Sequence, residues 1–348
     1  MLLQEMLFTR NALSDKISII NLSIRLTSIG GKMRKLYIVM YHYVRDLKHS
    51  RYPEIKGLDF ELFKNQIRYL KGNFNIVTME DVIESINTRR DLPDKSVLLT
   101  FDDGYADHYM NVFPVLKTEG VQGSFFIPGK TFAEYKLLDV NKIHFILASA
   151  NIDKLVLELF NLMDFYRGNE YNFPTNDELY FQYAIANRYD NEKVIFVKRI
   201  LQTVLPEQLR KIITSTIFEK YVGVSEETFA HELYMNKEQI KCMKEAKMHI
   251  GIHGYDHYWL GNLSIDQMKQ DILKAKDVLA DFLDEDWVMN YPYGNYSDEV
   301  IEVIKANGCV LGMSTEVRLA DLDMDNRYAL PRLDTNDFPP KSDNYKMH

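Results

Sequence analysis

The sequence predicts an α/β fold: a distorted, incomplete (β/α) barrel carrying a large helical insertion. Three observations predict it. Short runs of apolar and β-branched residues recur near residues 38, 99, 125, 250, 289, 311 and 331, each followed by a helix or loop pattern. Unbroken runs of this kind suit strands buried on both faces of a parallel sheet. Between Lys130 and about Lys247 the alternation stops and only helical patterns remain, as expected for an insertion on the strand-end face, where the long loops of such folds collect. No glycine-rich phosphate loop follows any strand, which removes the usual reason to prefer an open nucleotide-binding sheet.

Taken in order, residues 1–33 form an N-terminal extension. Leu13, Ile17, Ile20 and Ile24 fall at helical spacing, so an amphipathic helix is expected there, packed on the body, pairing with a partner or lying at a membrane surface. Glu5, Arg10, Asp15, Lys16 and Arg25 break every apolar run well before membrane-spanning length, and the basic start and apolar core of a secretory signal are missing. Leu36 to Tyr41 reads as a buried strand ending at His42. Asp59 is a good N-cap for a helix through Leu62, Ile67 and Leu70, and Thr78 opens another through Val82 and Ile86. The strand Val97 to Phe101 stops at Asp102-Asp103-Gly104, a helix around Tyr109 to Glu119 ends at Gly120, and Gly123 to Pro128 is the next strand. After the helical block, strands at Met248–Ile252, Val288–Tyr291 and Cys309–Met313 alternate with helices from Ser264 and from Ser297. The barrel is therefore assigned to 34–129 and 247–340, and the insertion on the active-site face to 130–246.

A chain of 348 residues with 46% hydrophobic and 12% aromatic residues has enough apolar mass for a real core. Its 22 Tyr also offer faces that stack on sugar rings. A formal charge of −8 argues against nucleic acid as a partner and against attraction to anionic membranes by the average field. Cys242 and Cys309 are far apart and lack metal spacing, which points to a reducing, cytoplasmic setting and away from a disulfide framework.

Three constellations sit at strand ends. Two adjacent carboxylates, Asp102 and Asp103, repel each other unless a cation or proton separates them, although Asp-Asp-Gly is also an ordinary turn. His253-Gly254-Tyr255-Asp256-His257 places two imidazoles four apart, on one face if the segment turns helically. Two His and a strand-end Asp make a three-ligand set with positions left for water and substrate, a catalytic rather than a structural coordination. Asn290-Tyr291-Pro292-Tyr293-Gly294 is either loop chemistry or a rigid turn aiming a backbone N–H at a developing oxyanion.

Thr100-Phe101-Asp102-Asp103-Gly104, His253-x-x-x-His257 and Tyr291-Pro292-Tyr293-Gly294, in this order, resemble the three principal motifs of the polysaccharide deacetylases, the nodulation-protein-B homology group of carbohydrate esterases. The resemblance covers Leu36 to about Pro128 and Met248 to about Asp334. It implies a metal-dependent hydrolase that removes N-acetyl groups from an amino-sugar-containing glycan or glycolipid. By the same resemblance Asp102 is the general base, Asp103, His253 and His257 hold the metal, and the ion is zinc, with cobalt, manganese or nickel as alternatives. The family's Arg shortly before the third motif is absent from Asp286 to Asn290, and Arg332 is the expected substitute. No His lies between His257 and His348, so the family's C-terminal catalytic His is missing as well. Tyr41-His42 resembles the strand end that carries the general acid in the biofilm poly-N-acetylglucosamine deacetylases, and His42 is assigned that role. Tyr293 is expected to supply the oxyanion N–H. His49, His108, His144, His231 and His249 are given no role. Hydrolysis of another amide, such as a formyl-amino sugar, and a catalytically lapsed carbohydrate-binding protein stand as alternatives, and action at the inner membrane face is expected for a lipid-linked substrate.

Overall fold

A computed structural model describes residues 34–188 and 190–348; the amphipathic helix expected within 1–33 lies outside them. Six strands form a continuous parallel sheet in sequence order: β1 (Lys35–Tyr41), β2 (Ser96–Phe101), β3 (Ser124–Ile127), β4 (His249–Ile252), β5 (Trp287–Asn290) and β6 (Cys309–Met313). The sheet curls into a distorted, incomplete (β/α) barrel. The expected strand near 331 shrinks to β7 (Leu333–Asp334), which pairs in parallel with Val39–Met40 of β1. On its other side only Leu330 bridges Met313 of β6. Pro331, between these two contacts, has no N–H to give to a ladder, and the Arg332 N–H goes to the Glu316 carbonyl at 2.9 Å, so regular pairing cannot form here.

The period-two alternation of the strands divides their side chains between two apolar clusters. Leu36, Ile38, Leu98, Phe126, Val288, Leu311 and Met313 pack together with Met79, Val82 and Ile83 of the helix Met79–Thr88. The intervening residues, among them Val39, Leu99, Phe125, Ile250 and Met289, join the helices on the opposite face. Counting in steps of two along the first face leads to His42 past the end of β1, Asp102 past β2, Asn290 at the end of β5 and His253 past β4. The pleat therefore delivers the polar residues of four strand ends to one place.

The flanking helices start where the sequence places them. Asp59 caps Phe60–Asn73 by accepting from the Glu61 N–H, and Thr78 forms a reciprocal capping box with Asp81. Between β3 and β4 the described residues form helices and loops, including Asp139–Ser149, Ile152–Tyr166, Glu207–Val222 and Lys237–Glu245. They bury an apolar cluster of their own around Leu159, Phe196, Ile213 and Phe218, which also takes in Tyr43 and Tyr105 from the barrel loops. No helix among the described residues is long and apolar enough to cross a membrane.

Gly312 on β6 admits the closing segment: a Cβ there would lie 2.1 Å from the Tyr328 carbonyl oxygen and 2.7 Å from the Tyr291 hydroxyl. Gly312→Ala is expected to cost about 1–3 kcal/mol through overpacking, read as a lower midpoint in urea unfolding. Because the displaced segment continues into Arg332, the same variant should also lose activity.

Candidate active site

Asp102 and Asp103 are adjacent in sequence, each 2% exposed, and face different partners. The Asp102 carboxylate receives both terminal nitrogens of Arg332 at 2.9 Å, one on each oxygen, and its Oδ1 also accepts from the Asn290 amide at 2.6 Å. Burial alone would raise this carboxyl, but the charges of Arg332, His42 and His253 outweigh it and bring it down to about 2. His42 Nε2 stands 3.8 Å from Asp102 Oδ2, too far for a hydrogen bond, with the side chain 39% exposed at the mouth of the site. The His42 backbone is fixed from behind, where its carbonyl accepts from His108 at 2.9 Å.

Arg332 itself is fully buried. Beyond Asp102 it donates to the Ser314 carbonyl at 2.8 Å and to the Thr100 hydroxyl at 3.2 Å, so the fork is held at three points.

Asp103 faces the imidazoles. Its Oδ1 lies 3.3 Å from His253 Nε2 and 3.2 Å from His257 Nε2, yet has no aligned hydrogen-bond donor although it is buried. Three donors bound to one small cation at bond lengths of 2.0–2.2 Å and tetrahedral angles would sit roughly 3.3–3.6 Å apart. An orphaned buried carboxylate oxygen between two imidazole nitrogens at these spacings fits a divalent metal ion. These are also the residues whose donor atoms all come within 4.8 Å of one another among the described residues. His253 Nδ1 bonds the Asn290 carbonyl at 2.6 Å, which leaves the Nε2 lone pair for a ligand. Burial depresses both imidazoles, and at His253 the adjacent Asp103 carboxylate, the charge of Asp102 and the bond to the Asn290 carbonyl reverse the effect and raise it, whereas His257 stays lowered. Against its own burial, Asp103 is driven well below the usual carboxylate range by the two His.

The His pair converges, but not on a helical turn. Residues 253–257 form an irregular loop with Gly254 at φ 66° and His257 at φ 56°. The buried Asp271 carboxylate holds it, accepting from the Tyr255 N–H at 2.8 Å and the Asp256 N–H at 2.9 Å and doing the work that helical hydrogen bonds would have done. Asp103 and Tyr293 are left-handed too, at φ 75° and 58°. Each such residue costs on the order of 1–3 kcal/mol and persists only where its surroundings force it. The Tyr293 ring packs edge-on to His257, with centroids 4.7 Å apart, and stacks on Trp259 at 4.5 Å.

Residues 89–154 and 211–312 match the polysaccharide deacetylase family. A Bacillus subtilis protein described as a polysaccharide deacetylase, YxkH, is 20% identical over 304 residues, 87% of this chain and 72% of its own length. The poly-beta-1,6-N-acetyl-D-glucosamine N-deacetylase of Escherichia coli is 38% identical over 81 residues, covering 23% of this chain and 12% of that protein. Among solved structures, the deacetylase PplD of Streptococcus pyogenes, in complex with acetate, superposes with a TM-score of 0.55 at 17% identity, covering 91% of this chain and 98% of its own, a likeness of fold. The chain belongs to the polysaccharide deacetylase family.

The matched residues contain all three motifs of this deacetylase family but neither His42 nor Arg332, which lie outside them. Sequence reading also passed over the residues that support Asp103 from behind. Its second oxygen accepts from the Tyr105 hydroxyl. Asn141, on the helix Asp139–Ser149, donates to Tyr105 at 2.7 Å and to Tyr43 at 2.9 Å, and the Tyr43 hydroxyl pairs with His144 at 3.2 Å. Only the spacing of Tyr105, two residues past Asp103, hinted at this; Asn141 is remote in sequence and its helix lacks a clear apolar stripe.

Two charges meet at the barrel seam, and both side chains are buried. Arg332→Met should therefore destabilise the chain by about 3–5 kcal/mol by leaving the Asp102 charge unpaired. Combining it with Asp102→Asn should restore a good part of that loss, a double-mutant cycle readable by denaturant unfolding.

Proposed function

We infer that this chain is a metal-dependent N-deacetylase acting on an amino-sugar-containing glycan or glycolipid, with zinc as the first candidate for the ion. The observation that carries the reading is the division of labour between two neighbouring carboxylates: Asp103 faces two imidazole nitrogens, while Asp102 is kept away from them by Arg332 and Asn290. Asp103, His253 and His257 would hold a divalent cation, which when bound acidifies water and polarises an acyl carbonyl.

The chain's own groups then account for the proton traffic. Asp102 takes the proton of the attacking water, and Arg332 keeps that carboxylate ionised and oriented while it waits. His42, across the opening from Asp102, gives a proton to the departing sugar amine, without which an amide cannot leave. The left-handed turn at Tyr293, whose ring packs on His257, would supply a backbone N–H to the developing oxyanion. Space for sugar rings lies on either side. A cavity of ≈ 400 Å³ is bordered by His257, Trp259 and Tyr293, and one of ≈ 820 Å³ by His42, Tyr43 and His144. Helices of the 130–246 block contribute to the walls of both and so cap the strand-end face. The acetyl group is favoured by the family's name and by that of the Escherichia coli relative.

Turnover of N-acetylated oligosaccharides and glycolipids by chelator-treated chain, with and without added zinc, tests the reading. Release of acetate only with metal is expected; release of formate alone from formylated sugars, or no hydrolysis and no metal uptake, would replace it. Asp102→Asn should abolish turnover with metal content unchanged, whereas Asp103→Asn should lose the metal itself. His42→Ala should keep the metal and slow turnover by about 10²-fold or more; a normal rate for either Asp102→Asn or His42→Ala would remove that residue from the proton path.

A further inference from the structure

The strand starts, at the end of the barrel opposite the carboxylate pair, border another cavity of ≈ 440 Å³. It opens between the helix Met79–Thr88, the first residue of β4 and the turn leading into β5. Carboxylates crowd its rim: Glu80 from the helix, and Asp284, Glu285 and Asp286 from the turn. Alone they would be no more than a solvated acidic patch.

His249 changes that reading. It lines the cavity, is 2% exposed, and neither of its ring nitrogens has a hydrogen-bond partner among the described residues. In the β3–β4 register it stands beside Ser124, whose hydroxyl is likewise buried and unpartnered. Buried polar groups are rarely left so, because losing water without replacement is expensive. Burial also holds the imidazole down to about 4 against the pull of Glu80 and Asp284, so a nitrogen lone pair stays available. An unprotonated imidazole deep in a cavity with carboxylates on the same lining offers the ligand types of a divalent transition-metal ion, although the three donors stand further apart than those of Asp103, His253 and His257 and would have to close on the ion. Glu80 accepts from Gln122 at 2.9 Å and Asp284 from Lys244 at 2.6 Å. Contacts of this surface kind are weak, so both carboxylates are free to turn inward.

We propose that His249, with Glu80 and Asp284, binds a second divalent transition-metal ion at the floor of the barrel, separate from Asp103, His253 and His257. An ion there would add a direct link between the helix Met79–Thr88, β4 and the turn before β5, which are otherwise connected here through Gln122, bonded to Glu80 and to the Lys247 carbonyl, and through the Lys244–Asp284 pair.

Zinc titrated into the chelator-treated full chain, with metal content measured after gel filtration, tests the proposal by difference. His249→Gln is expected to hold one equivalent fewer than the wild type and to lose part of the rise in melting temperature that zinc produces. Glu80→Gln/Asp284→Asn, which alters only surface side chains, should show the same deficit and leave the turnover of a zinc-saturated chain unchanged. The double variant keeps the test valid should His249→Gln fold poorly, as checked by circular dichroism. Because the readout is a difference, it holds whether or not Asp103 and its imidazoles take up metal. Equal zinc content in the wild type and Glu80→Gln/Asp284→Asn would overturn the proposal, as would equal content in a well-folded His249→Gln chain.

Discussion

The buried pair between Arg332 and Asp102 is the constraint on which the rest of the site depends. Both side chains are withdrawn from water, and each would be costly alone. Their two parallel hydrogen bonds, with those to Ser314, Thr100 and Asn290, offset the loss of hydration only if all the partners are in place at once. Those partners come from β2, β5 and the loop after β6. Arg332 arrives from the irregular segment that closes the barrel. The incompleteness of the barrel and the position of this arginine are thus one fact: a regular strand through Pro331 would direct residue 332 by the pleat, whereas the broken one lets it reach across the sheet seam to a carboxylate at the end of β2.

The same pair explains how neighbouring aspartates avoid sharing a fate. Two carboxylates on consecutive residues would ordinarily compete for one proton or one cation. Here the left-handed backbone at Asp103 turns its side chain away from its neighbour. Asp102 is neutralised by a guanidinium that cannot lose its proton, and Asp103 looks toward groups with lone pairs of their own. Arg332 thereby does more than orient Asp102, because it gives that carboxylate a counter-charge of its own and leaves Asp103 alone before the imidazoles. The strain at Asp103, His257 and Tyr293 has a matching cause, since each bends the chain back at the end of a strand so that its side chain returns over the barrel mouth.

Much of this was legible in the sequence, for a definable reason. Strand-end chemistry is written locally: an apolar run, then Asp-Asp-Gly, or His-x-x-x-His, or Pro-Tyr-Gly. The helix caps at Asp59 and Thr78 are local as well, being choices of one side chain and a backbone N–H two or three residues on. Interactions of high sequence separation were harder to see. Arg332 was singled out only because a resemblance left a gap to be filled. Asn290 was noticed as part of a turn, with no indication that its amide would reach Asp102, 188 positions earlier. The two imidazoles converge without the helical turn that their spacing would have used, because Asp271, invisible to that spacing, satisfies the loop's N–H groups with its carboxylate.

Asn141 illustrates the deepest of these gaps and its consequence. It sits on a helix of the block between β3 and β4, yet it hydrogen-bonds the tyrosine that bonds Asp103. The block is therefore joined to the barrel by more than apolar packing. A carboxylate oxygen that accepts from Tyr105 is less basic than one left free, and its rotation is fixed, so the helix Asp139–Ser149 sets both the direction and the charge density that Asp103 offers to the imidazole side. Tyr43 and His144 extend the same chain of hydrogen bonds to the wall of the larger cavity. A sugar resting against His144 would act on the far end of this chain, and Asp103 stands at its near end. The helical block could not be exchanged for a simple loop without loosening the carboxylate that faces His253 and His257, which makes it a part of the site and not a decoration on the barrel.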